Sequence, residues 1–308
     1  MIEHLALQTK LESLLVEQKE QYKLGKIAEY IPALAKVNPA LMGISVATID
    51  GKTTGAGVHK HAFSIQSISK VFGLVMAMNR IGDDLWQRVN MEPSGQPFNS
   101  IIQLEWEKGI PRNPVINAGA IVVADVLASH YSASKLAFVS FVRALANDPS
   151  IQLDSQVYAS EMDHGSRNAA LAYLMKSFGN IEAEVQDVLS HYFTQCSIKM
   201  SCHQLSQSLL FLANKGVNPL TQQPVCSAKD AHRINAILST SGMYDQSGEF
   251  AFSVGLPAKS GVGGGLVAIV PNYGVITAWS PPLNAFGNSV VGMNLVASVA
   301  EELGLSIY

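Results

Sequence analysis

The sequence predicts an α+β protein: an antiparallel sheet built from both ends of the chain, flanked by helices, with a helical region inserted between. Three observations carry this. Residues 41–49 are rich in apolar and β-branched residues and stop at the turn signal Asp50-Gly51. Residues 265–270 and 275–279 are similar runs on either side of Pro271-Asn272-Tyr273-Gly274, the pattern of a hairpin. Between the two ends the apolar spacing is helical. The expected organisation is a sheet region from 1–66 and 230–308, a helical region over 67–229, and one catalytic unit across 1–308 with its site in the cleft between layers.

Taken in order, Leu7, Leu11, Leu14 and Leu15 mark an amphipathic first helix, more often a core helix than a membrane anchor. The strand at 41–49 follows. Helical runs are predicted at 71–78, 120–128, 135–146, 168–177, 181–193, 205–212 and 228–238, with loops such as Pro93-Ser94-Gly95-Gln96-Pro97 between them. The closing hairpin leads into a last helix at 289–303. No linker, internal repeat or low-complexity tract divides the chain.

Composition narrows the function classes. The 308 residues are 48% hydrophobic and 15% charged, which suits a globular chain with a large core. A net charge of −3 with no basic tract gives nucleic-acid binding no electrostatic support. Cys196, Cys202 and Cys226 form no C-x-x-C and cannot all pair, which suits a reducing compartment. Glu3, Lys10 and Glu12 interrupt the first leucines, so the start lacks a signal peptide's pattern, and no apolar run is long enough to span a membrane. The expectation is a cytoplasmic protein without membrane or nucleic-acid partners.

The tetrad Ser67-Ile68-Ser69-Lys70 opens the apolar run 71–78. Residues three apart share a helix face, so a serine nucleophile and a lysine base could meet there, and burial favours the neutral amine. Spacing alone decides little. Roughly one S-x-x-K is expected by chance in 300 residues, and Ser132-Ala133-Ser134-Lys135 is a second copy. That copy follows His130-Tyr131 and reads as an N-cap serine with a solvated lysine. Other chemistries find no motif. Gly51-Lys52-Thr53 lacks the glycine of a phosphate loop at position 46, and Gly261-Val262-Gly263-Gly264-Gly265-Leu266 fails the dinucleotide pattern and precedes a strand. No G-x-S-x-G elbow occurs, and no histidine spacing suits a metal, so neither metal nor cofactor is expected. His59 and His61 read as a surface turn.

Lys259-Ser260-Gly261 before the 265–270 run supplies the late K-[ST]-G of Ser-Lys acyl enzymes, in the expected order after Ser67 and Lys70. S-D-N and Y-x-N are absent; Ser166-Arg167-Asn168 has only the S-x-N shape.

Longer blocks then decide. Residues 63–70 (FSIQSISK), 111–120 (PRNPVINAGA) and 257–265 (PAKSGVGGG) resemble the serine-dependent glutaminase family. So do Tyr30-Ile31-Pro32, Pro97-Phe98-Asn99-Ser100, Arg167-Asn168 and Ser241-Gly242-Met243-Tyr244. The resemblance runs in order from about residue 25 to the end. It implies a β-lactamase/penicillin-binding-like fold, hydrolysis of L-glutamine to glutamate and ammonia without a cofactor, and self-association as a homo-dimer or homo-tetramer. It places Ser67 as nucleophile, Lys70 as base, and the N–H groups of Ser67 and Val262 as oxyanion hole, where the glycines around Val262 would leave the backbone open to substrate. Tyr244 or Tyr192 would relay a proton to ammonia, with Lys259 in support. Tyr30, Gln66, Ser67, Asn117, Glu161, Asn168, Tyr192, Tyr244 and Val262 would surround the substrate, Glu161 meeting its α-ammonium. Without the resemblance each would be a weak candidate, because a lone Glu is usually solvated and a buried Asn or Tyr usually satisfies backbone groups. The runner-up is a β-lactamase or D-peptidase-like enzyme, disfavoured by the missing export signal and triplet. A catalytically silent amino-acid-binding protein is the third reading.

Overall fold

The computed structural model describes residues 4–95 and 100–308. Of the block at 97–100, the stretch 97–99 lies outside the described residues. The first helix, α1 (His4–Glu17), leads to strands β1 (Gly43–Thr48) and β2 (Thr53–Gly57). At the other end β3 (Ala258–Ser260), β4 (Gly265–Val270) and β5 (Gly274–Trp279) precede a helix over Val290–Glu302, so both termini build one sheet. Its order is β2-β1-β5-β4-β3, antiparallel throughout, with Gly43 opposite Trp279 and Val275 opposite Ile269.

Both faces of the sheet are covered, which explains why β4 and β5 read as almost wholly apolar runs, broken only by Thr277. Successive side chains point to opposite faces. Leu266, Ala268, Val270, Ile276 and Ala278 pack with Leu7, Leu11 and Leu14 of α1 and with Leu295 and Val299 of the last helix. Val267, Ile269, Val275 and Trp279 face the helical region. There α2 (Ser69–Ile81) is buried on all sides from Ser69 to Met78, as expected of a helix enclosed by others. Around it stand α3 (Asn117–His130), α4 (Ser134–Ala146), α5 (Ser155–His164), α6 (Ser166–Ser177) and α7 (Val185–Cys196). Further along come α8 (Cys202–Ser208) and α9 (Ala228–Ser241).

Three local expectations are corrected. The run at 205–212 is two helices, because Ser201 and Gln204 form a reciprocal capping box that starts α8 early. The chain then breaks at Leu209 before a turn over Leu210–Ala213. The run at 181–193 begins only at Val185. The N–H groups of Glu182 and Ala183 donate to the Asp125 carboxylate (3.1 and 2.8 Å) instead of entering a helix. Finally, Ser132 is not a cap. Ala133 occupies the cap position of α4, and its carbonyl accepts from Ala137 N–H (2.9 Å). Lys135 is exposed, as expected, and donates to Ser190 Oγ (2.9 Å).

Candidate active site

The nucleophile candidate is held by an unusual backbone. Ser67 lies in a 3-10 turn, Gln66–Ile68, that runs without a break into α2, with Lys70 three residues further on. Gln66 sits at φ +49°, a left-handed conformation that non-glycine residues adopt at a cost of about 1–3 kcal/mol when the surroundings enforce it. The surroundings do so here. Phe63 stacks on Trp279 (4.8 Å between centroids, 4° between planes), and Ser64 Oγ donates to Cys196 O (3.0 Å). The glycine turn after β3 presses on the other side. A Cβ on Gly263 would lie 2.3 Å from Ser64 O, and one on Gly261 2.5 Å from Ile65 O. Gly261 and Gly263, on either side of Val262, thus admit the chain that carries Ser67.

A cavity of about 260 Å³ opens over Ser67. Tyr30, Gln66, Ser67, Asn117, Glu161, Asn168, Tyr192 and Val262 line it, brought from seven separate parts of the chain. Ile31, His164, Arg167 and Cys196 line it too. Arg167 stood in a matching motif without a role. Cys196 carried no sequence signal beyond standing one helical turn after Tyr192, which places both on one face of α7.

Lys70 lies beneath the cavity, 1% exposed. Its Nζ donates to Asn117 Oδ1 (2.7 Å) and Val115 O (3.2 Å), and burial pulls its pKa down to about 8. Asn117 in turn donates to Asn168 Oδ1 (3.0 Å). Glu161 is also buried, and desolvation pushes its carboxyl up to about 6, opposed by the Gln66 amide within hydrogen-bonding reach and by Lys70. Tyr30 is largely exposed, and partial desolvation with Tyr244 and Glu161 nearby pushes its phenol above the usual tyrosine range. Desolvation likewise raises Tyr192, which lies against the Cys196 thiol.

Tyr244 stands behind this wall. Its phenol is within hydrogen-bonding reach of Ser67 and donates to Ser260 O (3.5 Å); burial raises it to about 12. Lys259 does not reach the cavity. Fully buried, its Nζ sits 4.6 Å from the centre of the Tyr244 ring and donates to Gly242 O (3.1 Å) and Ser260 O (2.6 Å). Desolvation and the nearby Lys70 hold its pKa well below the usual lysine range.

A serine on the wall of one cavity, with a buried amine and a phenol behind it, is an arrangement suited to acyl transfer, and comparison with known proteins gives the family. The sequence model described as Glutaminase matches residues 25–308. A glutaminase of Cronobacter sakazakii is 51% identical over 299 residues, 97% of each chain. One of Shewanella amazonensis is 50% identical over 302 residues, 98% of this chain and 99% of that one. Among solved structures, a Bacillus subtilis glutaminase in covalent complex with 5-oxo-L-norleucine superposes with a TM-score of 0.88 at 32% identity. That match covers 98% of this chain and all of the other. The chain belongs to the glutaminase family. It is an amidohydrolase on the fold those structures share, and among the described residues no helix is long and apolar enough to cross a membrane.

Proposed function

We propose that the protein hydrolyses the γ-amide of L-glutamine through a glutamyl ester on Ser67. The observation that carries this is the pairing of Ser67 with a buried amine whose donors are already used. A neutral amine has two N–H bonds and one lone pair. Asn117 Oδ1 and Val115 O take both N–H bonds of Lys70, which leaves the lone pair for the Ser67 proton. As Oγ attacks the amide carbon, Lys70 takes that proton, and the N–H groups of Ser67 and Val262 meet the oxyanion. The C–N bond then breaks. The proton returns through Tyr244 to the departing nitrogen, and water hydrolyses the ester by the reverse path. Tyr244 suits the relay better than Tyr192, because its phenol reaches Ser67 whereas that of Tyr192 lies against Cys196. Lys259 supports Tyr244 from behind.

Substrate orientation follows from charge. Glu161 meets the α-ammonium, while Tyr30, Asn117, Asn168 and Tyr192 offer hydrogen bonds around it. Gln66 orients Glu161. The covalent complex that the Bacillus subtilis relative forms with 5-oxo-L-norleucine supports covalent catalysis in this chain too. The test treats wild type and Ser67→Ala in separate reactions with 6-diazo-5-oxo-L-norleucine, reading intact and peptide mass, and with glutamine, reading ammonia. Wild type should gain one adduct on the Ser67 peptide and release ammonia, and the variant should do neither. An adduct on another residue, or undiminished ammonia from the variant, would overturn the mechanism. A chromogenic β-lactam assayed in parallel should not turn over. The resemblance also makes a homo-dimer or homo-tetramer in the cytoplasm the expected state, which light scattering and fractionation would check.

A further inference from the structure

Tyr244, like Gln66, is a non-glycine residue in the left-handed region, at φ +52°. Such a conformation persists only where neighbours over-determine it. The torsion turns on the Met243–Tyr244 peptide, and one side chain holds that peptide's carbonyl. Asn288, fully buried, donates through Nδ2 to Met243 O (3.1 Å) and to Gln246 Oε1 (2.8 Å). The other side of the residue is fixed by Ser247 Oγ, which donates to Tyr244 O (2.9 Å). Asn288 itself sits in a closed loop. Leu283 bridges to Ser289, and Asn284 Oδ1 accepts from the N–H groups of Phe286 and Asn288 (3.0 and 3.1 Å). At Gly287, φ +89°, the loop passes so close that a Cβ would lie 3.6 Å from the Tyr244 ring and 3.8 Å from Val262 Cγ1.

We propose that Asn288 is a positioning residue for catalysis, fixing the Met243 carbonyl and with it the backbone turn that aims the Tyr244 phenol at Ser67. The proposal rests on the reading of Tyr244 as the proton relay. Asn288 touches no substrate, so its loss should act on turnover and only through Tyr244. A double-mutant cycle with Tyr244→Phe tests this. Asn288→Ala should lower kcat by about 10-fold or more and leave KM within about twofold, but cost less than about twofold when added to Tyr244→Phe, since residues that act as one unit do not add. Asn288→Asp keeps the volume but replaces the donor with an acceptor, and should be impaired like the alanine variant. A fully active Asn288→Asp would overturn the proposal, as would losses that add across the cycle; either leaves the relay intact. An unimpaired Tyr244→Phe would instead overturn the relay, and this inference with it. Should Asn288→Ala not fold, the half-exposed Asn284→Ala should show the same non-additive pattern with a loss of about threefold.

Discussion

Glu161 and Lys70 shift in opposite directions for one reason: each is buried, and burial favours the neutral form of both. For Glu161 the consequence divides binding from stability. Its folded pKa, about 6, lies above the ordinary carboxyl value, so the native state binds more protons than the unfolded chain between about 4.5 and 6. Stability is therefore fullest below that window and declines as pH rises through it. Glu161→Gln should accordingly stabilise the protein at pH 7 by up to about 2 kcal/mol, at 1.36 kcal/mol per unit, while glutamine binding collapses for want of the ammonium partner. Denaturant titration beside calorimetric binding checks both halves; unchanged binding would reverse the substrate orientation. In the wild type, glutamine binding should weaken about tenfold per pH unit below 6. Lys70 sets the other limb. The active neutral amine is the minor form at pH 7, so turnover should climb with pH and level off above about 8. Lys70 was legible in its tetrad and the apolar run behind it, which already pointed to a neutral amine, whereas Glu161 was legible only through the family blocks. The upward shift of Glu161 was not legible, because it depends on burial by segments far apart in the chain.

At the scale of elements, legibility followed the distance over which the governing interaction acts. The closing hairpin and the last helix over Val290–Glu302 lie within a residue or two of their predicted limits, since turn residues and Ser289, whose hydroxyl accepts from Gly292 N–H (3.1 Å), are local signals. The capping box at Ser201 was equally local but hidden inside an apolar pattern read as one helix. Its removal gives a clean check. Ser201→Ala should cost about 1 kcal/mol of stability and leave kcat and KM unchanged, read by chemical denaturation and by ammonia release. The glycine turn after β3 should behave in the opposite way. Gly263→Ala sets a Cβ against Ser64 O, and the chain carrying Ser67 must move. A displacement of a few tenths of an ångström at the nucleophile should cost kcat on the order of 10-fold or more. Wild-type turnover by that variant would show that the turn yields while Ser67 stays in place.

For the molecule as a whole, the sequence told which ends meet in the sheet, but not what binds the helical region to itself. Asp125 does much of that. It is wholly buried on α3, the helix that opens with Asn117, and its carboxylate accepts from Arg88 Nη2 (2.5 Å) and from the N–H groups ahead of α7, the helix that carries Tyr192. Asn180 extends the tie, accepting from Arg88 at its own carbonyl (2.8 Å) and donating to Gly109 O (2.8 Å). In sequence Asp125 is one acid within an apolar helix, and its partners lie 37 and 57 residues away, so no local pattern could reveal it. Removing the Asp125 carboxylate leaves Arg88 with Glu182 (3.2 Å) and Asn180 but strands the N–H groups of Glu182 and Ala183, which costs about 1–3 kcal/mol. Asp125→Ala should therefore lower the unfolding free energy by about that amount, seen as an earlier denaturant midpoint. At low temperature, where the variant stays folded, its KM for glutamine should remain near wild type, because Asp125 is not among the residues that line the cavity with Asn117 and Tyr192. A loss of affinity with undiminished stability would instead mean that Asp125 sets the spacing of α3 and α7 at the substrate without holding the fold together.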